Sequence, residues 1–172
     1  VTLYWDRSAE YSKDKYMGNI TNNVDLYDFE GYKVYRATDF EFNDAYNITD
    51  GDGNPTFLEP YVQDGIRAQW DLVNGKSGWH PVDLNGIKYY LGNETGLVHS
   101  YVDNDVVNGQ RYYYAVVSYD YGGDLTNNII PSDSPMKLRV NPLTGAVSLG
   151  PNVVEVVPSP PSAGFVDASF AG

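Results

Sequence analysis

The feature that most constrains this fold is a run of aromatic and β-branched residues over 110–121. Asn108 and Gly109 precede the run and Gly122 and Gly123 follow it, and such pairs mark turns. Alternate residues of a strand point to opposite faces. The two faces predicted here carry Tyr112, Tyr114, Val116 and Ser118 on one side and Tyr113, Ala115, Val117 and Tyr119 on the other. Both faces are largely apolar or aromatic, which predicts a central strand covered on each side.

The composition favours an all-β domain with a full core. Hydrophobic residues make up 42% of the 172 residues, which excludes general disorder, and 16 tyrosines, 17 glycines and 10 prolines accompany short strand-like runs. The net charge of −12 argues against nucleic-acid binding, because phosphate contacts need basic surface, and leaves carboxylates available for hard cations. Without cysteine, disulfides and cysteine metal sites are excluded, and no apolar run is long enough to predict a membrane span.

Shorter alternating segments predict further strands around the central one. In 1–6 Leu3 and Trp5 share a face, and in 29–36 Tyr32 faces inward, so Trp5 and Tyr32 are predicted to be structural. The remaining predicted strands are 97–103, 135–140, 147–149 and 153–157. No leader pattern precedes the first strand, which favours a mature product or an excised segment.

The segments between these strands differ in character. Residues 7–28 are polar without a helical period, which predicts a loop. Residues 41–97 are rich in Gly and Asn with repeated turn pairs, so we expect small hairpins that fold back onto the main sheets. The Pro/Ser/Ala/Gly-rich tail 158–172 is typical of an extended, weakly ordered linker.

The order of these strands resembles a fibronectin type III domain, a seven-stranded immunoglobulin-like sandwich. The matching segments are 3–6 as strand B, 31–36 as strand C, 101–103 as strand E, 108–116 as strand F with its approach, and 131–135 as the F–G loop and start of strand G. The resemblance implies a fibronectin-type-III-like antiparallel β-sandwich over 1–140, with 41–97 inserted between strands C and E. The residues 141–172 then form a C-terminal strand arm and linker. Tyr112 resembles the corner tyrosine, whose hydroxyl ties the E–F connection to strand F.

The chain departs from the family pattern because it starts on strand B, so strand A is missing. A sandwich without an edge strand exposes backbone donors and acceptors, and something should fill that position. One hypothesis is strand addition, in which the segment 153–157 pairs with a neighbouring copy and links subunits. The alternatives are that this segment pairs within its own domain or begins a following module. The residues of this partner strand are Val153, Val154, Val156 and Val157, with Val154 and Val156 on one face and Val153 and Val157 on the other.

Two acidic sets are candidate calcium sites. Asp50, Asp52 and Asn54 alternate as in a calcium loop, but Pro55 and Tyr61 stand where an EF-hand requires Gly and Glu. The alternative is a glycine-rich hairpin turn. The second set flanks strands B and C and is either a metal site at one end of the sandwich or a solvated rim. It comprises Asp6, Glu10, Asp25, Asp28 and Glu30, with Asp6, Asp28 and Glu30 as the main candidates.

The insertion also carries aromatic residues that could bind a ligand. Trp70, Trp79, Tyr89 and Tyr90 could stack on sugars if they are exposed in a row. The alternative is that their rings anchor the insertion onto the host sheet, because buried aromatics contribute large apolar area.

Nothing in the sequence favours an enzyme. His80 and His99 are the only histidines, and two isolated histidines without cysteine are weak evidence for a zinc site. No nucleophile-elbow sequence occurs. Asn19, Asn47 and Asn93 each begin a glycosylation triplet, a pattern that is common by chance in an Asn-rich chain.

The sequence therefore predicts a non-enzymatic structural module of an extracellular or cell-surface protein, similar to the tandem modules of large secreted bacterial proteins. It is expected to join copies of itself or neighbouring modules by β-strand addition, as a filament or surface-layer subunit, with calcium as a candidate ligand. The rival hypothesis is an accessory module for carbohydrate or protein binding and adhesion, which uses the aromatic residues of 41–97. Neither hypothesis involves nucleic acid or a membrane span.

Overall fold

The computed structural model describes residues 1–13, 27–45, 48–123, 128–136, 138–162 and 164. Across these residues the chain forms several small antiparallel sheets, and its helical content is two short 3₁₀ helices, Ser8–Tyr11 and Asn43–Ala45. The predicted all-β class is therefore confirmed. The strands are β1 (Thr2–Tyr4), β2 (Phe29–Ala37), β3 (Ile48–Thr49), β4 (Pro55–Phe57), β5 (Val62–Gln63), β6 (Ile66–Arg67), β7 (Gln69–Asp71), β8 (Trp79–Leu84), β9 (Ile87–Tyr90), β10 (Ser100–Val102), β11 (Tyr112–Asp120), β12 (Leu138–Val140), β13 (Val147–Leu149) and β14 (Val153–Val156).

A four-stranded antiparallel sheet with the order β14-β11-β2-β7 forms the centre of the molecule. β11 is the aromatic and β-branched run, and it pairs with β2 on one side and with β14 on the other. Because β11 has a neighbour along each edge, the prediction of a central strand is confirmed. At Gly31 in β2 an added Cβ would lie 2.2 Å from the Trp70 carbonyl oxygen, so the approach of β7 requires glycine there.

The β1–β10 pair covers one face of this sheet. Leu3 of β1 is buried in a cluster with Tyr112 and Tyr114 of β11. Trp5, directly after β1, packs against the same cluster, and its ring lies 5.8 Å from that of Tyr32 between centroids. Trp5 and Tyr32 therefore lie on the inward sides of their segments.

The insertion and the β12–β13 hairpin cover the opposite face. Tyr113 and Val117 of β11 pack with Phe42, which precedes the second 3₁₀ helix. Tyr119 packs against Tyr89 of the β8–β9 hairpin, with ring centroids 5.8 Å apart. Three hairpins, β3–β4, β5–β6 and β8–β9, form within 41–97, so the prediction of small hairpins in the insertion is confirmed.

The predicted strand 135–140 does not join the central sheet in the described part of the chain. Of its described residues, Leu138–Val140 form a strand, which pairs with β13 in a separate hairpin. The place beside β11 is taken by β14, whose Val153 is buried against the insertion side of the sheet. β14 is the more β-branched of the two segments, which suits a strand of the central sheet. The predicted loop 7–28 contains the first 3₁₀ helix, and its residues 14–26 lie outside the described part of the chain.

Candidate functional site

The candidate site is a groove between β1 and β14, with a volume of ≈ 660 Å³. Its floor is apolar and aromatic and includes Leu3, Tyr32 and Tyr114, all of which are buried. Its rims carry Tyr4, which is 79% exposed, and Val154, which is 43% exposed. Large exposed apolar side chains beside a concave apolar floor are typical of an interaction surface.

The β1 rim presents an unpaired strand edge. The Trp5 N–H donates to the His99 carbonyl oxygen at 3.1 Å, so Trp5 occupies a hydrogen-bonded position on the β10 side. Hydrogen-bonded positions alternate in an antiparallel pair, which places Leu3 on that side as well. Thr2 and Tyr4 therefore direct their backbone N–H and C=O groups away from β10. No described strand pairs with this outer edge.

The β14 rim presents a second edge on the other side of the groove. The Val116 N–H donates to the Asn152 carbonyl oxygen at 3.0 Å, and Val154 lies opposite Tyr114, so both of these positions face β11. The intervening backbone groups, such as those of Glu155, point outward. Among the described strands, β14 has β11 as its one neighbour. The groove thus lies between two strand edges of different sheets.

Hydrogen bonds fix the aromatic floor. The Tyr114 hydroxyl donates to the buried Asp103 carboxylate at 2.7 Å. The Tyr32 hydroxyl donates to the Asp6 carbonyl oxygen and to Glu10, each at 3.3 Å. Burial raises the pKa of both tyrosines, so they stay neutral donors at physiological pH. The floor is therefore preorganised rather than collapsed into the groove.

The charge around the groove is negative, and the negative charge rises towards the end of β11, where Asp28, Asp120 and Asp133 line an adjoining cavity. Asp6 is the one charged residue among the described groups that line the groove. The Ser8 hydroxyl and backbone N–H donate to the Asp6 carboxylate and lower its pKa, so this carboxylate stays ionised. A smaller cavity of ≈ 270 Å³ shares Ser118 and Pro135 with the groove and extends it towards the end of β11. The site suits apolar side chains and backbone pairing better than an anionic ligand.

A buried polar network lies on the opposite face of the sheet. The ammonium group of Lys33 is 3.2 Å from the Asp133 carboxylate and 2.5 Å from the Tyr89 hydroxyl oxygen. The hydroxyls of Tyr35 and Tyr89 also donate to Asp133. Burial lowers the pKa of Lys33, and the neighbouring Asp133 opposes that shift. Sequence reasoning missed this network, because Lys33 and Asp133 are far apart in the chain and no local pattern links them.

The predicted partner strand has its place in the chain's own sheet. Val153, Val154 and Val156 belong to β14, which pairs with β11, and Val157 follows directly. In the structure these valines pair within the chain, which is the alternative that the sequence left open, and their pairing with a neighbouring copy stays a prediction. The physical reason is that β11 exposes an edge whose partner would otherwise be absent.

The Asp50 loop is a hairpin turn between β3 and β4. The Asp50 carboxylate accepts hydrogen bonds from the backbone N–H groups of Asp52 and Asn54, at 3.0 and 2.8 Å, and from the Asn54 amide. These bonds lower the pKa of Asp50. The side chain thus stabilises its own turn in the manner of an Asx-turn. Calcium binding at Asp50, Asp52 and Asn54 stays a prediction.

The second acidic set is spread over different environments. Asp6 is exposed and caps the turn at Ser8, whereas Glu30 is buried and accepts from the Asn74 amide at 3.1 Å. Burial is the main cause that raises the pKa of Glu30 to about 7. Asp28 is half-buried, and Asp25 lies outside the described residues. In the described part of the chain, no group of three or more His, Cys, Asp or Glu side chains could hold a metal ion.

The four candidate ligand aromatics do not form an exposed row. Trp70 packs between Trp5 and Tyr101, and Tyr89 is buried against Tyr119. These two rings anchor the insertion, as the alternative interpretation predicted.

The other two form a surface pair on the β8–β9 hairpin. Trp79 is 61% exposed and contacts Tyr90 edge-on, with 5.0 Å between ring centroids. Among the four candidate ligand aromatics, the exposed surface therefore consists of the Trp79 indole and the neighbouring Tyr90 ring.

The two histidines lie apart, and each contacts a different part of the chain. His80 is buried, and its Nε2 is 2.7 Å from the Gly123 carbonyl oxygen. His99 lies with its Nε2 2.5 Å from Glu10. Asn93 accepts a hydrogen bond from the Tyr90 hydroxyl, while Asn19 and Asn47 lie outside the described residues.

The fold and the groove define a class: an all-β protein with two adjacent strand edges that flank an apolar cleft. Comparisons with protein-family models, curated proteins and solved structures gave no match. In the described part of the chain, no helix has the length and apolar character to cross a membrane.

Proposed function

We propose that this chain is a non-enzymatic, extracellular structural module that joins copies of itself or neighbouring modules by β-strand addition, as a filament or surface-layer subunit. The observation that carries the proposal is the groove between β1 and β14, with an open strand edge on each side. An incoming extended segment would gain backbone hydrogen bonds from one edge and bury its alternate side chains on the floor.

The arrangement of the strands supports a fibronectin-type-III-like sandwich as the framework. In this proposal β1 and β10 correspond to strands B and E, and the order β14-β11-β2-β7 corresponds to strands G, F, C and a fourth strand from residues 41–97. The Tyr112 hydroxyl accepts a hydrogen bond from the Val107 N–H at 3.0 Å, which ties the segment before β11 to that strand. In this framework the groove lies beside β1, where strand A of the family would pair.

The experiment measures mass by light scattering as a function of protein concentration. We expect the full chain to assemble, and we expect Val154→Arg to weaken assembly at least tenfold, because it places a charge on the apolar rim. Val140→Arg is the matched control, since Val140 is 46% exposed on the β12–β13 hairpin, away from the groove. A full chain that stays monomeric at every concentration, or equal effects of both substitutions, would contradict the proposal.

The surface pair Trp79 and Tyr90 favours a second candidate function, carbohydrate binding in adhesion. An exposed indole with a supporting ring is a suitable platform for a sugar face. A glycan array tests it: binding that is lost in Trp79→Ala without a change in melting temperature supports the binder. Addition of calcium to the same samples, followed by melting, tests whether the Asp50 loop holds the ion.

A further inference from the structure

We propose that the occupant of the groove is the C-terminal segment 165–172 of a second copy of this chain. The inference rests on the proposed function and goes further, because it names the donor. It also replaces the segment 153–157 as the linking strand, which the protein uses in its own sheet.

The sequence of this segment has the pattern of a half-buried strand. Within 166–170, Val166, Ala168 and Phe170 alternate with Asp167 and Ser169, so an extended conformation of these five residues has one apolar and one polar side. Eight extended residues span about 26 Å, which is ample for an edge strand. The segment lies outside the described residues.

The path of the chain favours delivery to another copy. β14 ends at Val156, and the Pro158 carbonyl oxygen accepts from the Gly109 N–H at 2.8 Å, just before β11 begins. The groove lies beside the other end of β14, at Asn152 and Val154. The chain therefore leaves the domain at the end of β14 that is remote from its own groove.

The composition of the linker 158–164 also carries the segment away from the end of β14. Three prolines at 158, 160 and 161 favour an extended conformation of about 3.1 Å per residue, and 158–164 thus spans roughly 20 Å. Gly164, directly after this stretch, has φ 86°, so a turn is available there. The cysteine pairing described below therefore separates return to the molecule's own groove from entry into a neighbouring copy.

The apolar side chains of the donor segment match the apolar floor of the groove. The floor is aromatic and apolar, and Asp6 is the one charged group among its described lining residues. Val166 and Phe170 supply apolar contacts, whereas Asp167 would point away from the floor and from Asp6. The segment contains no lysine or arginine, so the pairing depends on apolar burial and backbone hydrogen bonds. Because each copy carries a net charge of −12, we expect added salt to favour assembly by screening the repulsion between copies.

A complementation experiment in the full chain tests the inference. Phe170→Asp disables the donor and leaves the groove intact, and Val154→Arg disables the groove and leaves the donor intact. We expect each variant alone to be monomeric and an equimolar mixture to form dimers that do not grow further. Ser169→Asp, on the polar side of the same segment, is the control that should assemble normally.

The outcomes separate the two proposals. If the full chain assembles and Phe170→Asp assembles equally well, the donor is wrong while strand addition stands. If the full chain never assembles, both proposals fail.

Cysteine pairing then distinguishes exchange between copies from closure within one chain. The chain contains no cysteine, so Val154→Cys combined with Phe170→Cys or Ala168→Cys introduces a single new pair. Under mild oxidation we expect a ladder of disulfide-linked oligomers on a non-reducing gel. A disulfide-linked monomer would overturn the inference, because the segment would then fill its own groove. Val140→Cys with Phe170→Cys should give no ladder.

Discussion

The two faces of the β11 sheet are covered to different degrees, and the difference separates the folded core from the candidate site. On the insertion side, hairpins and the β12–β13 pair cover the sheet, and the Lys33–Asp133 pair is buried among tyrosines. On the other side β1 and β10 cover only part of the sheet and leave a groove of ≈ 660 Å³. The insertion thus completes one face, and the second face has space for another strand.

The largest effect is expected on the insertion side, from Asp133→Ala. The substitution leaves the Lys33 ammonium buried without a counter-charge, and breaking a buried pair in this way costs about 3–5 kcal/mol. Urea unfolding measures the loss. The double variant Lys33→Met with Asp133→Ala should recover a large part of it, and a double variant as unstable as the single one would contradict this account.

The next effect concerns Glu30, a buried carboxyl beside Asn74. Its pKa is raised from 4.5 to about 7 by burial, so the folded state holds the proton more tightly than the unfolded chain. Stability from this group is present below about pH 4.5 and is lost as the pH rises towards 7, by at most about 3 kcal/mol.

Unfolding of the Glu30→Gln variant at several pH values measures this effect. The glutamine side chain has no proton to lose, so we expect the variant to lack the decline between pH 5 and 7 and to be more stable than the parent protein at pH 8. An unchanged pH profile would show that Glu30 ionises without cost.

A smaller effect is expected for Tyr112→Phe, on the groove side. The substitution removes the acceptor for the Val107 N–H and keeps the packed ring, so the free energy of unfolding should fall by about 1 kcal/mol. Chemical denaturation measures this loss. Tyr113→Phe removes a hydroxyl from the opposite face of the same strand, and its loss of stability serves as the comparison. A Tyr112→Phe variant as stable as the parent would argue against the corner role.

The smallest effect on stability is expected for Tyr4→Ala at the groove rim. The same substitution should clearly weaken assembly. Tyr4 is 79% exposed, so stability should change by less than about 0.5 kcal/mol, while an added strand loses a contact. Leu143→Ala is the control, because Leu143 is 93% exposed in the turn between β12 and β13. Equal assembly of both variants would remove Tyr4 from the proposed interface.

Much of the central sheet was predictable from local pattern, because β11 and β2 are long and rich in aromatic and β-branched residues. The faces of β11 followed from alternation alone, and both are covered in the structure. The strand beside β11 was not predictable in the same way. Leu138–Val140 and Val153–Val156 are both short apolar segments, and the choice between them depends on long-range pairing that no local signal encodes.

The candidate site was predictable only in outline. The resemblance of the first strand to strand B indicated an open edge beside it, and the groove lies at that edge. Its walls come from segments that are far apart in sequence, such as Tyr4 and Pro151, and only the folded chain brings them together. Tyr89 and Trp79 are both aromatic residues of the β8–β9 hairpin, and the sequence does not distinguish them. Tyr89 is buried and Trp79 is exposed, because one side of the hairpin faces Tyr119.

If the outer edge of β1 accepts a strand, amide hydrogen exchange at Thr2 and Tyr4 reports the new backbone hydrogen bonds. In dilute, monomeric protein their N–H groups should exchange quickly, whereas the Trp5 N–H, which donates to His99, should be protected. As the concentration rises and the protein assembles, we predict that Thr2 and Tyr4 become protected to the level of Trp5. Assembly without any gain of protection at Thr2 and Tyr4 would contradict the account.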